Sequence, residues 1–214
     1  MKTRDKILQA SLALFNERGE RNVTTNHIAA HLGISPGNLY YHFRNKEDII
    51  HSIFGQYVEH LETAFAPRDQ GPITLEVLMS YLDGVFYTMW EFRFFYASLP
   101  DILARNPELH QEYYEVQQRL AERVIAILKS LREEGIFAID DEALPYLAHT
   151  IKILVTFWIS YQTTQAVEAR ITRPVIYQGV LKVIFLIKPY LTEAARDTIA
   201  RLEDHYKKMA SRLR

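Results

Sequence analysis

One stretch constrains the fold of this chain more than any other, because it predicts two short helices joined by a tight turn. It reads VTTNHIAAHLGISPGNLYYHFRNK and covers residues 23–46. Thr24 or Thr25 can cap the first helix, and Gly33 supplies the left-handed backbone conformation that ends it. Pro36 suits the first turn of the second helix. The first helix has a short apolar stripe, which is formed by Ile28, Ala29 and Leu32.

The second predicted helix has an outward face of polar and aromatic side chains. Leu39 and Phe43 stand four residues apart and are expected to hold its inner face. The outward face consists of Gly37, Asn38, Tyr41 and His42, with Tyr40 at its edge. A helix-turn-helix inserts such a face into the major groove, where side-chain amides, hydroxyls and imidazoles meet base edges. The stretch therefore predicts binding to double-stranded DNA.

The same residues resemble the DNA-binding signature of the TetR family of one-component transcriptional regulators. The matching positions are Val23, Thr24, Thr25, Ile28, Ala29, residues 32–35, Pro36, Gly37, Leu39, Tyr40, Phe43 and Lys46. The resemblance implies phosphate contacts by Thr25, Tyr40 and Lys46, with Tyr41 and His42 at the DNA surface. It also implies base contacts by Asn26, Pro36, Gly37 and Asn38. The predicted DNA-binding set is Thr25, Asn26, Ser35, Pro36, Gly37, Asn38, Tyr40, Tyr41, His42 and Lys46.

The net charge of −1 is unusual for a nucleic-acid binder, which is usually basic. Residues 1–60 contain seven Lys or Arg against six Asp or Glu, so this part of the chain is almost neutral as well. Hydroxyls and backbone amides also contact phosphates, so a nearly neutral DNA-binding domain is not excluded. The hydrophobic content of 48% is sufficient for a core.

The sequence predicts neither a catalytic centre nor a bound metal or cofactor. The absence of cysteine excludes disulfides, thiolate nucleophiles and cysteine-ligated metals. His27 and His31 are four residues apart, but no third ligand at suitable spacing accompanies them. Glycine-rich phosphate loops and a nucleophile elbow are missing. The strongest apolar runs, residues 151–160 and 180–187, fall short of the roughly 20 residues that span a membrane, so a soluble cytoplasmic protein without a membrane partner is expected.

The periodicity of apolar residues predicts an all-α protein of nine to ten helices. Helices are expected over residues 3–18, 25–32, 36–43, 46–66, 73–97, 108–134, 140–170, 174–189 and from 192 onward. An interruption is predicted between Pro100 and Pro107, and a domain boundary at residues 67–72. The predicted domains are a three-helix DNA-binding domain (residues 1–46), a connecting helix (47–66) and a helical effector-binding and dimerisation domain (67–214).

The last two long apolar helices predict a homodimer. A helix that is apolar on more than one face must be covered on more than one face. Residues 142–169 carry one stripe through Leu147 and a second through Tyr146, Ile153 and Phe157. The predicted interface consists of Leu147, Ile151, Leu154, Val155, Trp158, Val180, Ile184 and Ile187. Two-fold symmetry implies a roughly palindromic operator with half-sites about 34 to 36 Å apart; the alternative is burial of both stripes inside one chain.

A cluster of aromatic residues in the central part predicts the wall of a cavity for a small hydrophobic effector, as the resemblance also implies. The predicted lining consists of Trp90, Arg93, Phe94, Tyr113, His149, Lys152, Phe157, Trp158 and Tyr161. Arg93 or Lys152 would meet an acidic end of the effector. The alternative is an aromatic core that only packs. The resemblance favours a repressor released from DNA by its effector over an activator, an effector-independent regulator or a helical protein-interaction module.

Overall fold

The computed structural model describes residues 2–66, 75–166 and 170–211, and these residues form an all-α fold. This part of the chain contains ten α-helices, which confirms the predicted fold class. The helices are α1 (Thr3–Arg18), α2 (Thr25–Leu32), α3 (Pro36–His42), α4 (Lys46–Ala64), α5 (Leu75–Glu91), α6 (Arg93–Arg105), α7 (Pro107–Glu133), α8 (Ala143–Thr163), α9 (Arg173–Ile187) and α10 (Arg196–Ser211). The boundary predicted at residues 67–72 lies outside the described residues.

Helices α1, α2 and α3 form a small N-terminal unit, which we call the head. The Thr24 side chain accepts a hydrogen bond from the backbone amide of His27, and Nδ1 of the His27 ring accepts one from the backbone amide of Thr24, so that the start of α2 is capped twice. Gly33 ends α2 with φ of 65°, and Ser35 caps α3 ahead of Pro36. Leu39 is buried beneath α3, which anchors this short helix in the core.

Helix α4 connects the head to the remaining helices, α5 to α10, which we call the body. The Asn45 side chain caps α4 by accepting from the amide of Asp48 at 2.8 Å. The helix packs against α1 in the head and against α5 and α7 in the body. It therefore belongs to the cores of both parts.

The structure corrects the single helix predicted over residues 73–97. Helix α5 ends at Glu91 and α6 begins at Arg93, with Phe92 between them in a non-helical conformation. The side chain of Asn16 holds this break: its amide donates to the carbonyl of Glu91 at 2.7 Å, and its oxygen accepts from the amide of Phe94 at 3.0 Å. Helix α6 then continues through Pro100, with a kink two residues earlier, so the interruption predicted there is wrong.

Helices α7 to α10 complete the body. Helix α8 packs against α6, α7 and α9, and α10 packs against α9. Helix α8 ends at Thr163, before the predicted position near Arg170. By length and apolar character α8 is the one described helix that would cross a bilayer, but a core helix of a soluble protein passes the same test.

Candidate functional site

The outward face of α3 is exposed and free of contacts with the body. Pro36, Gly37, Asn38 and Tyr41 all lie on the surface, and the side chain of Tyr41 is 87% exposed. The backbone amide of Asn38 donates to Ser35 Oγ at 3.2 Å. The side-chain amide of Asn38 has no hydrogen-bond partner among the described residues. This face offers side-chain donors and acceptors to a flat, polar surface such as a base-pair edge.

The remaining predicted DNA-binding residues border this face. Thr25 Oγ1 and Tyr40 Oη lie 3.0 Å apart, so a hydrogen bond joins the start of α2 to α3. Asn26 is exposed in the first turn of α2. His42 is half-buried, and its ring meets the edge of the Tyr41 ring at 5.1 Å.

Lys46 is placed differently from its predicted role as a phosphate contact. Its Nζ donates to the carbonyls of Glu20 at 2.9 Å and Val23 at 3.2 Å, and it lies 2.8 Å from Glu20 Oε1. An ammonium group has three donors, and these acceptors occupy all three. In this structure the Lys46 side chain therefore ties the start of α4 to the segment between α1 and α2.

Glu20, which sequence reasoning missed, is the centre of this junction. Its fully buried carboxylate also accepts a hydrogen bond from Arg105 Nη2, at the end of α6, at 2.9 Å. Burial by itself raises the pKa of Glu20, but hydrogen bonds and charges from Lys46 and Arg105 outweigh burial and lower the pKa below its ordinary value. Its second oxygen, Oε2, has no partner among the described residues. No local pattern indicated this site, because both cations are distant in sequence.

Further contacts join the head to the body around Glu20. Arg21 pairs with Asp101 on α6, and the rings of Phe15 and Phe94 lie 5.2 Å apart. His51 Nε2 on α4 lies 3.0 Å from Glu112 Oε1 on α7. The head is thus held against α6 by polar and aromatic contacts, and α4 is held against α7.

The body encloses a cavity of about 140 Å³ among α4 to α9. Its wall is almost entirely apolar and includes Leu61, Leu82, Leu120, Val124, Leu128 and Val183. A few polar side chains interrupt this wall, namely Tyr57, Tyr81, Thr88, Tyr96, Gln117, Lys152 and Thr156. An apolar cavity with a few polar groups is typical of a small-molecule site.

Buried hydroxyls dominate one part of this wall. Burial raises the pKa of both Tyr57 and Tyr96. The Oε1 of Gln117 has no hydrogen-bond partner among the described residues. Burial also lowers the pKa of Lys152, for which the described residues provide no ion-pair partner.

Most residues predicted to line an effector cavity lie elsewhere. Of that set, Lys152 alone is on the cavity wall, and the ring of Tyr113 packs against Phe95 at 6.2 Å. Arg93 stacks on Trp90 at 4.2 Å and donates to its carbonyl, and Phe94 packs on α1. The other members are exposed or packed in the core: His149, Phe157 and Tyr161 are exposed, and Trp158 is buried.

The predicted dimer stripe is also buried within the chain. Leu147, Trp158, Val180, Ile184 and Ile187 are in the core, and Ile151, Leu154 and Val155 are half-buried. Trp158 Nε1 donates to the carbonyl of Val175 at 2.7 Å, so α9 covers this face of α8. The opposite faces remain exposed and carry Tyr146, Ile153, Phe157, Tyr161 and, on α9, Phe185. Within one copy of the chain, five residues of the predicted stripe are therefore buried and three are half-buried, whereas the second stripe is exposed.

Two family models match most of the chain. Residues 7–53 match the model described as bacterial regulatory proteins, tetR family, and residues 56–199 match the model described as a bacterial transcriptional repressor. The two matched ranges meet within α4.

Individual relatives agree with these matches. A TetR-family transcriptional regulator from Marinobacter aquaeolei VT8 has a similar structure, with a TM-score of 0.88 and 40% identity over 96% of this chain and 99% of that one. The repressor KstR2 from Mycolicibacterium smegmatis is 35% identical over 31% of this chain, which spans only 37% of that relative. The regulator UidR from Escherichia coli K12 is 26% identical over 62% of this chain and 68% of its own length.

Proposed function

Because this chain belongs to the TetR family of DNA-binding transcriptional regulators, we propose that it is a homodimeric repressor of a palindromic operator. A small hydrophobic effector bound in the body would release it from DNA. The observation that carries this proposal is the exposed outward face of α3, on a helix capped by Ser35 and anchored by Leu39. Its place is the cytoplasm and its role is not enzymatic.

Each head would insert α3 into the major groove. Asn38, Pro36, Gly37 and Asn26 would face base edges, with the Asn38 amide as the strongest candidate for reading a base. Thr25 and Tyr40, already hydrogen-bonded to each other, would donate to one phosphate region. Tyr41 and His42 would lie along the DNA surface. Ser35 would act by capping α3.

The dimer would form through the uncovered faces of α8 and α9. Tyr146, Ile153, Phe157 and Tyr161 follow one another at seven, four and four residues, so they form one stripe along α8. Phe185, which is 71% exposed, continues the apolar surface onto α9. A second copy of the chain covers such a surface by the same residues, which is the self-complementary contact of a two-fold dimer. Residues 1–46 would then be the DNA-reading domain, 47–66 the connecting helix and 67–214 the dimerisation and effector domain.

Selection of bound sequences from random DNA tests the proposal. We expect a palindromic consensus, and Asn38→Ala should change the preferred base at one position in each half-site. Tyr41→Ala should weaken binding, whereas Tyr114→Ala, a matched change at an exposed tyrosine of α7, should not. Recovery of random sequences only, or equal effects of the two tyrosine variants, would contradict DNA recognition through α3.

A further inference from the structure

The amide oxygen of Gln117 points to a ligand. Gln117 is only 4% exposed and lines the cavity, yet its Oε1 has no donor among the described residues. A buried acceptor without a donor is costly, and native structures usually provide a partner. The cavity therefore offers one free acceptor to a ligand that brings an O–H or N–H group.

Lys152 lines the same cavity as Gln117. Gln117 lies on α7 and Lys152 on α8, and these two helices pack against each other. The described residues provide no ion-pair partner for Lys152. The cavity wall therefore presents an unpaired cation and an unpaired acceptor on two adjacent helices.

The rest of the cavity suits a slender apolar chain. Helix α7 lines it from Gln117 to Leu131, a length of about 21 Å along the helix axis. A cavity of about 140 Å³ that extends over this length has a narrow cross-section. Beyond Gln117 the wall contributed by α7 contains only apolar side chains, including Val124 and Leu128.

We propose that the effector is an acyl chain whose polar end carries a carboxylate and a neighbouring hydroxyl, as in a 3-hydroxy fatty acid. The carboxylate pairs with Lys152, and the hydroxyl donates to Gln117 Oε1 while the chain extends toward Leu131. This assignment rests on the proposed function, because it names the ligand of the effector cavity. A plain fatty acid leaves Gln117 without a donor, and a long-chain alcohol leaves Lys152 without an anion.

Calorimetric titration of the purified full chain with four probes tests the assignment: 3-hydroxydecanoic, decanoic and 3-methoxydecanoic acids and 1-decanol. We expect 3-hydroxydecanoate to bind about tenfold more tightly than decanoate, since one hydrogen bond to a buried acceptor separates them. The methoxy acid lacks the donated hydrogen and should lose this advantage, which tests Gln117 without any change to the protein. Gln117→Met should bind 3-hydroxydecanoate and decanoate equally.

Lys152→Met supplies the second half of the test. It should weaken binding of both carboxylates by about tenfold or more and leave 1-decanol unchanged. Equal affinities for 3-hydroxydecanoate and decanoate in the unmodified protein, tighter binding of 1-decanol than of either acid, or no binding of any probe would overturn the proposal. Operator release is measured separately: a hydroxy acid that binds without releasing DNA leaves the ligand class intact and refutes effector-controlled release.

Discussion

Replacement of Glu20 by Gln tests how the head is fixed to the body. The Glu20 carboxylate is fully buried, and its Oε1 lies 2.8 Å from Lys46 Nζ and 2.9 Å from Arg105 Nη2. Glutamine keeps the shape and one carbonyl oxygen but removes the negative charge between two cations. The expected result is a loss of stability, because Lys46 then remains positively charged in a mostly buried position without its counter-ion.

The size of this loss follows from the surroundings. Removal of one partner from a buried ion pair typically costs about 3 to 5 kcal/mol. Here Lys46 keeps two carbonyl acceptors, and Arg105, whose side chain is 39% exposed, can turn toward water. We therefore expect a loss of stability at the lower end of this range, about 3 kcal/mol at pH 7. For a chain of this length that corresponds to a fall in Tm of roughly 6 to 12 °C.

The dependence on pH has a definite sign. The folded-state pKa of Glu20 is below its ordinary value of 4.5, so its ionised form stabilises the fold above that pH. This contribution is lost as the pH falls from about 4.5 through the folded-state pKa. The difference in stability between the unmodified protein and Glu20→Gln should consequently be largest near neutral pH and shrink as the solution becomes more acidic.

Urea denaturation at pH 7 and at decreasing pH measures both effects. Arg21→Ala is the matched control, since Arg21 and Asp101 join the same two segments through side chains that are 63% and 51% exposed. An exposed pair of this kind contributes at most about 1 kcal/mol. The reasoning would be refuted if Glu20→Gln were no less stable than the Arg21→Ala control. It would also be refuted if the stability difference between Glu20→Gln and the unmodified protein grew toward acidic pH.

Three further predictions concern other parts of the chain. Lys46→Met should weaken binding to all DNA sequences without changing the salt dependence of affinity, and a slope reduced by about 1 would instead indicate a phosphate contact. Phe157→Arg should yield a folded monomer in sedimentation experiments, whereas Trp158→Arg should unfold the chain. A Phe157→Arg variant that remains a dimer would show that the interface does not include Phe157. Gly179→Ala should lower stability by about 1 to 3 kcal/mol in thermal unfolding, since its Cβ would lie 2.7 Å from Trp158 Cδ1. An unchanged Tm would mean that the indole moves freely.

The helix-turn-helix could be predicted because its signals are local. Caps, the glycine stop at Gly33 and the proline at Pro36 each act within a few residues, and the structure confirms all of them. The break at Phe92 could not be predicted, since neither glycine nor proline marks it. Asn16 stabilises that break from 75 residues away by bonding to the exposed backbone groups, and no local pattern contains this information.

The faces of α8 show a different limit of sequence reasoning. Periodicity identified two apolar stripes on this helix, but it does not say which one the same chain covers. Gly179 on α9 explains why the stripe through Trp158 is covered. The absence of a side chain there allows the indole of Trp158 to pack directly on the backbone of α9. The stripe through Trp158 is consequently internal, and the one through Phe157 is left exposed.

Helix α4 connects the cavity of the body to the head. Lys46 at its start bonds to Glu20 and Val23, and Tyr57, eleven residues later, lines the cavity about 16 Å away along the axis. Because Tyr57 is part of the cavity wall, the affinity of a ligand in the cavity would depend on the position of α4. Only such a difference in affinity between two conformations can release DNA. It follows that a variant with weakened Lys46 anchoring, such as Glu20→Gln, should bind the effector normally while losing part of its effect on DNA affinity.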